Sequence, residues 1–194
     1  MNKIIAVDID EVLSETVDAV LEVNNHEINW MKITKEEVSS FYFHEIERLN
    51  IWIEEDVKIF DKLWNSDKKR EVKPIEWALK KLNELKSEWY KFIIITARRE
   101  EFREYTEKRV EKTYPWIFDE IVFTNHYTEN AVPKSEICKQ RWVEIMIEDN
   151  LDYAIDMANA GVKVYLMDRP WNKQYNPEIH KWIIKVNGWD EISF

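Results

Sequence analysis

Two carboxylates, two residues apart, close the first apolar run of this 194-residue chain: Ile4-Ile5-Ala6-Val7 leads into Asp8-Ile9-Asp10-Glu11. Side chains on a strand alternate faces, so Asp8 and Asp10 share one and point into the crevice beyond the strand's carboxyl end. In open parallel sheets that crevice is where ligands bind. Neighbouring carboxylates repel, which favours a bound cation, a raised pKa on one member, or both. Other apolar runs carry polar signatures too: Ile95-Thr96-Ala97-Arg98, Pro133-Lys134-Ser135 at the start of a helical pattern, and Ile147-Glu148-Asp149-Asn150. A hydroxyl, an ammonium and a second acidic pair thus accompany the first, which is equipment for phosphoryl transfer.

These groups need a scaffold that brings strand ends together. Five short apolar, β-branched runs read as strands: Ile4 to Val7, Phe92 to Ile95, Glu120 to Phe123, Glu144 to Ile147 and Val162 to Met167. Helical patterns over roughly Glu100 to Lys112, Ser135 to Arg141 and Leu151 to Ala160 separate the later ones. That alternation predicts an α/β fold, a doubly wound parallel sheet with right-handed crossovers. Gly161 falls where a left-handed helix cap is expected. The stretch from Ser14 to Lys73 is too long for one crossover and predicts several amphipathic helices inserted after the first strand, a small helical cap. Pro74 is expected to open the helix that returns to the sheet. The division is therefore 1–13 and 74–194 for the core and 14–73 for the cap, with the tail beyond Trp171 ordered.

Composition narrows the partners. There are 38 acidic against 28 basic residues, a net charge of −10, and the cap segment holds 14 acids against 9 bases. A nucleic-acid polymer or an anionic membrane would require clustered basic surface, so neither is expected. A small phosphorylated metabolite needs only a few local cations. No apolar run reaches the roughly 18 residues of a membrane span, no signal-peptide layout is seen, and the single cysteine, Cys138, suits a reducing cytoplasm. Two glycines, Gly161 and Gly188, cannot build a GxGxxG turn, a Walker A loop or a GxSxG elbow. His26, His44, His126, His180 and Cys138 show no zinc spacing.

The ordered set Asp8-x-Asp10, Thr96, Lys134 and Glu148-Asp149 resembles the haloacid dehalogenase superfamily of aspartate-nucleophile phosphohydrolases, over nearly the whole chain. Thr124-Asn125-His126-Tyr127, Lys134 to Lys139 and Asp168-Arg169-Pro170-Trp171-Asn172 resemble the branch of cytosolic C-type 5′-nucleotidases, or deoxyribonucleotidases. The resemblance implies Asp8 as nucleophile forming an aspartyl phosphate. It implies Asp10 as the acid and then the base, which calls for a raised Asp10 pKa. Mg²⁺ would bridge Asp8, the Asp10 carbonyl, the acidic pair and a phosphate oxygen. Within the acidic pair the sequence leaves the ligand open: Asp149 is favoured as the direct ligand, with Glu148 through a water or as its orienter, and both are metal candidates. Thr96, the Ala97 amide and Lys134 would hold the phosphoryl oxygens.

Arg98 and Glu11 are further candidates for binding substrate, and Tyr42 and Phe43 for stacking a base. Three departures from the branch bear on the substrate: Thr16 where an aromatic is usual, Asn150 where an arginine is usual, and Glu11 in place of glycine. The sequence thus predicts a Mg²⁺-dependent phosphomonoesterase on nucleoside monophosphates. Its alternatives are a phosphatase of sugar phosphates or other small metabolites, and a silent phosphate-metabolite binding or regulatory protein.

Overall fold

The computed structural model describes residues 3–194. Six strands form one all-parallel sheet in the order β5-β4-β1-β6-β7-β8, with β1 Ile4–Val7, β4 Lys91–Thr96, β5 Phe118–Phe123, β6 Val143–Glu148, β7 Lys163–Met167 and β8 Ile183–Val186. Strand pleating divides the core in two. Ile5, Val7, Phe92, Ile94, Ile145 and Ile147 face α3 (Ala78–Ser87) and α4 (Arg103–Thr113) through Ala78, Leu82, Leu85 and Val110. Ala6, Ile93, Ile95, Met146, Val164 and Leu166 face α5 (Lys134–Gln140) and α6 (Leu151–Asn159) through Ile137, Cys138, Ala154 and Met157. The near-continuous apolar strands follow from this burial on both faces.

The doubly wound sheet is as the sequence predicts, with one strand more. β8 lies in the ordered tail, where the alternation of Ile183, Ile184, Lys185 and Val186 is too short to stand out before pairing with β7. Its continuation carries Trp189 into the core, where the indole Nε1–H donates to the Val12 carbonyl at 2.8 Å. The Tyr114 hydroxyl donates to the Leu13 carbonyl at 2.6 Å. Two distant aromatics therefore clamp the turn that follows Asp10.

Between β1 and α3 the chain builds a third core around Val17, Val20, Leu21, Phe43, Leu49, Leu63 and Trp64, closed by Trp171 from the loop after β7. Its helices are α1 (Thr16–Val23) and α2 (Ile53–Trp64); a short hairpin, β2 (Glu27–Ile28) with β3 (Met31–Lys32), and several single 3₁₀ turns supply the rest. The segment is thus less helical than its periodicity predicts, because Asn25, His26, Asn29, Trp30 and Asn50 at positive φ turn the chain between α1 and α2. Nor does Pro74 open a helix. It pairs with Ser14 in an isolated bridge, and α3 starts at Ala78. The segment leaves and rejoins the sheet at that bridge, with Glu15 N–H bonded to the Lys73 carbonyl and Ile75 N–H to that of Leu13.

Trp189→Ala removes a fully buried side chain and orphans the Val12 carbonyl. Urea denaturation is expected to show a loss of about 3–5 kcal/mol.

Candidate active site

The carboxyl ends of β1, β4 and β6 meet below the third core and floor a cavity of about 980 Å3, counted with its open mouth. Asp8 continues β1 by one residue, its N–H bonded to the Ile147 carbonyl of β6 at 3.0 Å. Its carboxylate is buried, with Oδ2 3.0 Å from Lys134 Nζ. Lys134, the first residue of α5, reaches Glu148 Oε2 at 2.7 Å with the same ammonium. Glu148 Oε1 accepts the N–H groups of Asp149 and Asn150, each at 3.1 Å. Every oxygen of Glu148 is therefore engaged by protein.

Its neighbours are not. Asp149 Oδ2 accepts the Trp171 indole N–H at 2.9 Å, while Asp149 Oδ1 and Asp8 Oδ1 are buried with no hydrogen-bond partner among the described residues. Ligand oxygens of Asp8, Glu148 and Asp149 lie within 4.8 Å of one another, so the donor set fits a divalent cation. Burial pushes Asp8 up to about 7, with the Glu148 and Asp10 charges adding and Lys134 opposing. Burial, then Glu148 and Asp8, holds Asp149 well above the usual carboxylate range. For Lys134 burial works against the charge, and the two carboxylates outweigh it and keep the ammonium protonated.

Asp10 differs from what the resemblance implies. Burial would raise it, but the Arg98 guanidinium wins, donating Nε–H to Oδ2 at 3.0 Å and Nη2–H to Oδ1 at 2.7 Å. With the Thr16 hydroxyl donating to Oδ1, the pair holds Asp10 below the usual range, ionised rather than protonated. Arg98 is itself fixed by Thr106 at 3.2 Å and by the Trp64 ring, 4.2 Å from its guanidinium carbon.

Of the sequence candidates, Asp8, Asp10, Glu11, Tyr42, Phe43, Ala97, Arg98 and Asp149 line the cavity, whereas Thr96, Lys134 and Glu148 stand behind that wall. Thr96 is fully buried, its hydroxyl accepting the Arg98 N–H at 3.3 Å. Glu11 keeps the left-handed φ of 59° that favours glycine, and its carboxylate is occupied. It accepts the Val17 N–H at 2.7 Å and pairs with Lys35 at 2.8 Å and Arg169 at 3.5 Å, so from the cavity wall it joins the inserted segment to the sheet. Phe43 is buried against Phe60, while Tyr42 is half-buried and stacks on His126 with centroids 6.0 Å apart.

Three further residues at the site stand outside the sequence candidates. Trp171 sits in the quoted Asp168 to Asn172 stretch, but only folding shows that its indole meets Asp149. Thr16, noted there as a departure, is a partner of Asp10. His126, quoted in the Thr124 to Tyr127 stretch, lines the cavity, with its backbone N–H on the Ala97 carbonyl at 3.0 Å. Burial first, then Lys134, pushes it down to about 4, so the ring is neutral. Nδ1 lies 3.0 Å from the Tyr153 hydroxyl, and Nε2 is buried without a partner among the described residues. No spacing in the sequence could signal a residue drawn in by contacts to β4 and α6.

The parallel sheet and its acidic strand ends have the fold of haloacid dehalogenase-like hydrolases. A hydrolase of that type from Streptococcus pneumoniae superimposes with a TM-score of 0.69 at 15% identity, over 95% of this chain and 93% of the other. A predicted phosphatase from Clostridium acetobutylicum gives 0.71 at 15% identity, over 98% and 96%. The model of the family described as "5' nucleotidase, deoxy (Pyrimidine), cytosolic type C protein" matches residues 2–193, and the chain belongs to that family. A nucleotidase from Clostridium acetobutylicum is 26% identical over 165 residues, 82% of this chain and 77% of its relative. The chain is therefore an enzyme of the phosphatase and nucleotidase class for small phosphorylated substrates. No helix among the described residues is long and apolar enough to cross a membrane.

A carboxyl raised in the folded state costs stability as pH climbs from its ordinary value through the raised one, here from 3.8 to about 7. A cation removes that cost only where the proton has left. Addition of a divalent cation is expected to raise the thermal midpoint more at pH about 8 than at about 6, reversed by chelator; equal shifts at both would contradict the cluster as the binding site.

Proposed function

We propose that the chain is a Mg²⁺-dependent phosphomonoesterase working through an aspartyl phosphate, with nucleoside monophosphates as substrates. The observation that carries this reading is the pair of buried, partnerless oxygens on Asp8 and Asp149 beside a protonated Lys134. Asp8 and Asp149, with the Asp10 carbonyl, would hold Mg²⁺, and Glu148 would orient Asp149 and Lys134. The ion suits hard oxygen donors and, when bound, supplies charge neutralisation at the phosphoryl oxygens.

In the first half, an Asp8 carboxylate oxygen bonds to phosphorus in line as the bond to the leaving oxygen breaks. Asp10 gives that oxygen its proton. In the second, water attacks phosphorus, Asp10 takes the water's proton, and the bond to Asp8 breaks to release inorganic phosphate. The Arg98 pair favours the ionised Asp10 of the second half. For the first, Arg98 must turn from Asp10 to the incoming phosphate, which then compensates its charge, and Asp10, freed of the guanidinium, takes up from solvent the proton it donates. Lys134, Thr96 and the Ala97 amide would steady the equatorial oxygens.

We take 14–73 as a cap over the core of 1–13 and 74–194, a division supported by the Ser14 to Pro74 bridge. Among the described residues two arginines line the cavity, Arg98 on Asp10 and Arg99 on Asp61 and Glu101, and neither is a free cation for a second phosphate, which favours monophosphates. Tyr42 would stack a base, and the neutral His126 would donate Nε2–H to an uncharged acceptor on it. A cytoplasmic setting belongs to the same reading, supported by the cytosolic family.

The test is phosphate release from a panel of nucleoside and sugar monophosphates, with and without chelator. Release from nucleotides that is abolished by chelator and by Asp8→Asn is the expected result. Activity surviving Asp8→Asn would sink the mechanism, preference for sugar phosphates would replace the substrate, and binding without release across the panel would favour a regulatory protein. For His126→Phe the expectation is a rise in KM of about tenfold with kcat little changed, the cost of one hydrogen bond in uniform binding.

A further inference from the structure

Ten tryptophans against two glycines is an inverted ratio, since glycine alone averages about 7% of a folded chain. The backbone explains the inversion. Trp30, Trp77, Trp89, Trp116 and Trp142 all have φ between 55° and 69°. Seven other non-glycine residues share that region among those described, and four are asparagines, the residue that tolerates it best. For a bulky side chain the left-handed region is an outlier, because Cβ crowds the following carbonyl.

Each of the five stands in a turn built for glycine. Asn29-Trp30 joins β2 to β3 as a two-residue hairpin with positive φ at both positions, the Asn-Gly turn. Trp89 follows the C-cap of α3 and Trp142 that of α5, each with its N–H on the carbonyl three residues back, at 3.1 and 3.3 Å. Gly161 makes the same bond after α6 at 3.0 Å, with φ 88°. Trp116 is the third residue of the Tyr114-Pro115-Trp116-Ile117 turn and Trp77 of the Ile75 to Ala78 turn, each closed by a bond from fourth to first residue. With positive φ at the third position, glycine is the standard occupant.

The side chains offer little compensation beyond the Trp77 ring, over which Lys80 Nζ sits at 4.9 Å. The five are 52% to 92% exposed, whereas Trp64, Trp171 and Trp189 are at most 6% exposed and packed in cores or bonded to protein. Nor do the five make one face: Trp89, Trp116 and Trp142 precede the amino ends of β4, β5 and β6, whereas Trp30 lies in the β2–β3 hairpin and Trp77 stands before α3. We infer that positions 30, 77, 89, 116 and 142 are glycine in the protein as its source makes it, the codon at each being UGA, which one genetic code reads as tryptophan and another as glycine.

The gene decides it at the first level: UGA at these five codons with UGG at Trp64, Trp171 and Trp189 is expected, and UGG at the five overturns the inference. Peptide masses of the protein from its source should carry glycine at the five positions, and tryptophan there would equally overturn it. At the level of the fold, the chain with all five Trp→Gly replacements should have a higher thermal midpoint than the chain with five Trp→Ala. Alanine removes the same exposed ring and keeps the Cβ, so equal midpoints, or a lower one for glycine, would count against the backbone argument. Trp89→Gly and Trp142→Gly alone should each raise the midpoint, whereas Trp64→Gly, in the buried control position, should lower it.

Discussion

One ammonium, Lys134 Nζ, sits between two buried carboxylates, 3.0 Å from Asp8 and 2.7 Å from Glu148. Removing such charges from water costs several kcal/mol per ion, and only tight geometry with further hydrogen bonds offsets it. The fold provides both. β1 and β6 are neighbours, so Asp8 and Glu148 emerge side by side, and α5 begins where its first side chain fills the gap. Two backbone N–H groups at the start of α6 take the other Glu148 oxygen. Three buried carboxylates, counting Asp149, still face one ammonium. That surplus of negative charge, beside two partnerless oxygens, suits the place to a cation and distinguishes it from a finished ion cluster.

The same concern with charge shapes the entrance. Asp10 is satisfied by Arg98 and Thr16, so the two acids of the first motif lie in opposite environments, one raised and one lowered. Environments that push paired titratable groups apart mark a division of labour between them. Across the cavity mouth Arg99 of the sheet side pairs with Asp61 of α2, and Glu11 draws Lys35 and Arg169 together. The inserted segment is therefore held to the sheet by ion pairs at the rim and by the Tyr105 and Arg109 side chains on the carbonyls of Lys69 and Val72.

Turn chemistry decided where the sequence was hardest to read. The helices and strands of the sheet carry strong periodicity and were legible, to within a few residues, in β1, β4, β6 and α6. The inserted segment was legible only as an insertion. Its hairpin and 3₁₀ turns depend on left-handed residues at Asn25, His26, Asn29, Trp30 and Asn50, and tryptophan at such a position gives no turn signal. The return helix was misplaced for the same reason: Trp77, at positive φ, lets the chain turn before Ala78, four residues after Pro74.

What the sequence by itself determined is the order of strand-end motifs, hence the parallel sheet and the set Asp8, Asp10, Thr96, Lys134, Glu148 and Asp149, because periodicity and motif order are local properties. What only the tertiary structure decided is how those groups divide the charge. That Glu148 is fully bonded and Asp149 is not, that Asp10 is ionised on Arg98, that Glu11 ties segment to sheet, and that Trp171 and His126 belong to the site all depend on residues distant in the chain. Electrostatic environment is set by burial and by partners, and both arrive only when the strands come together.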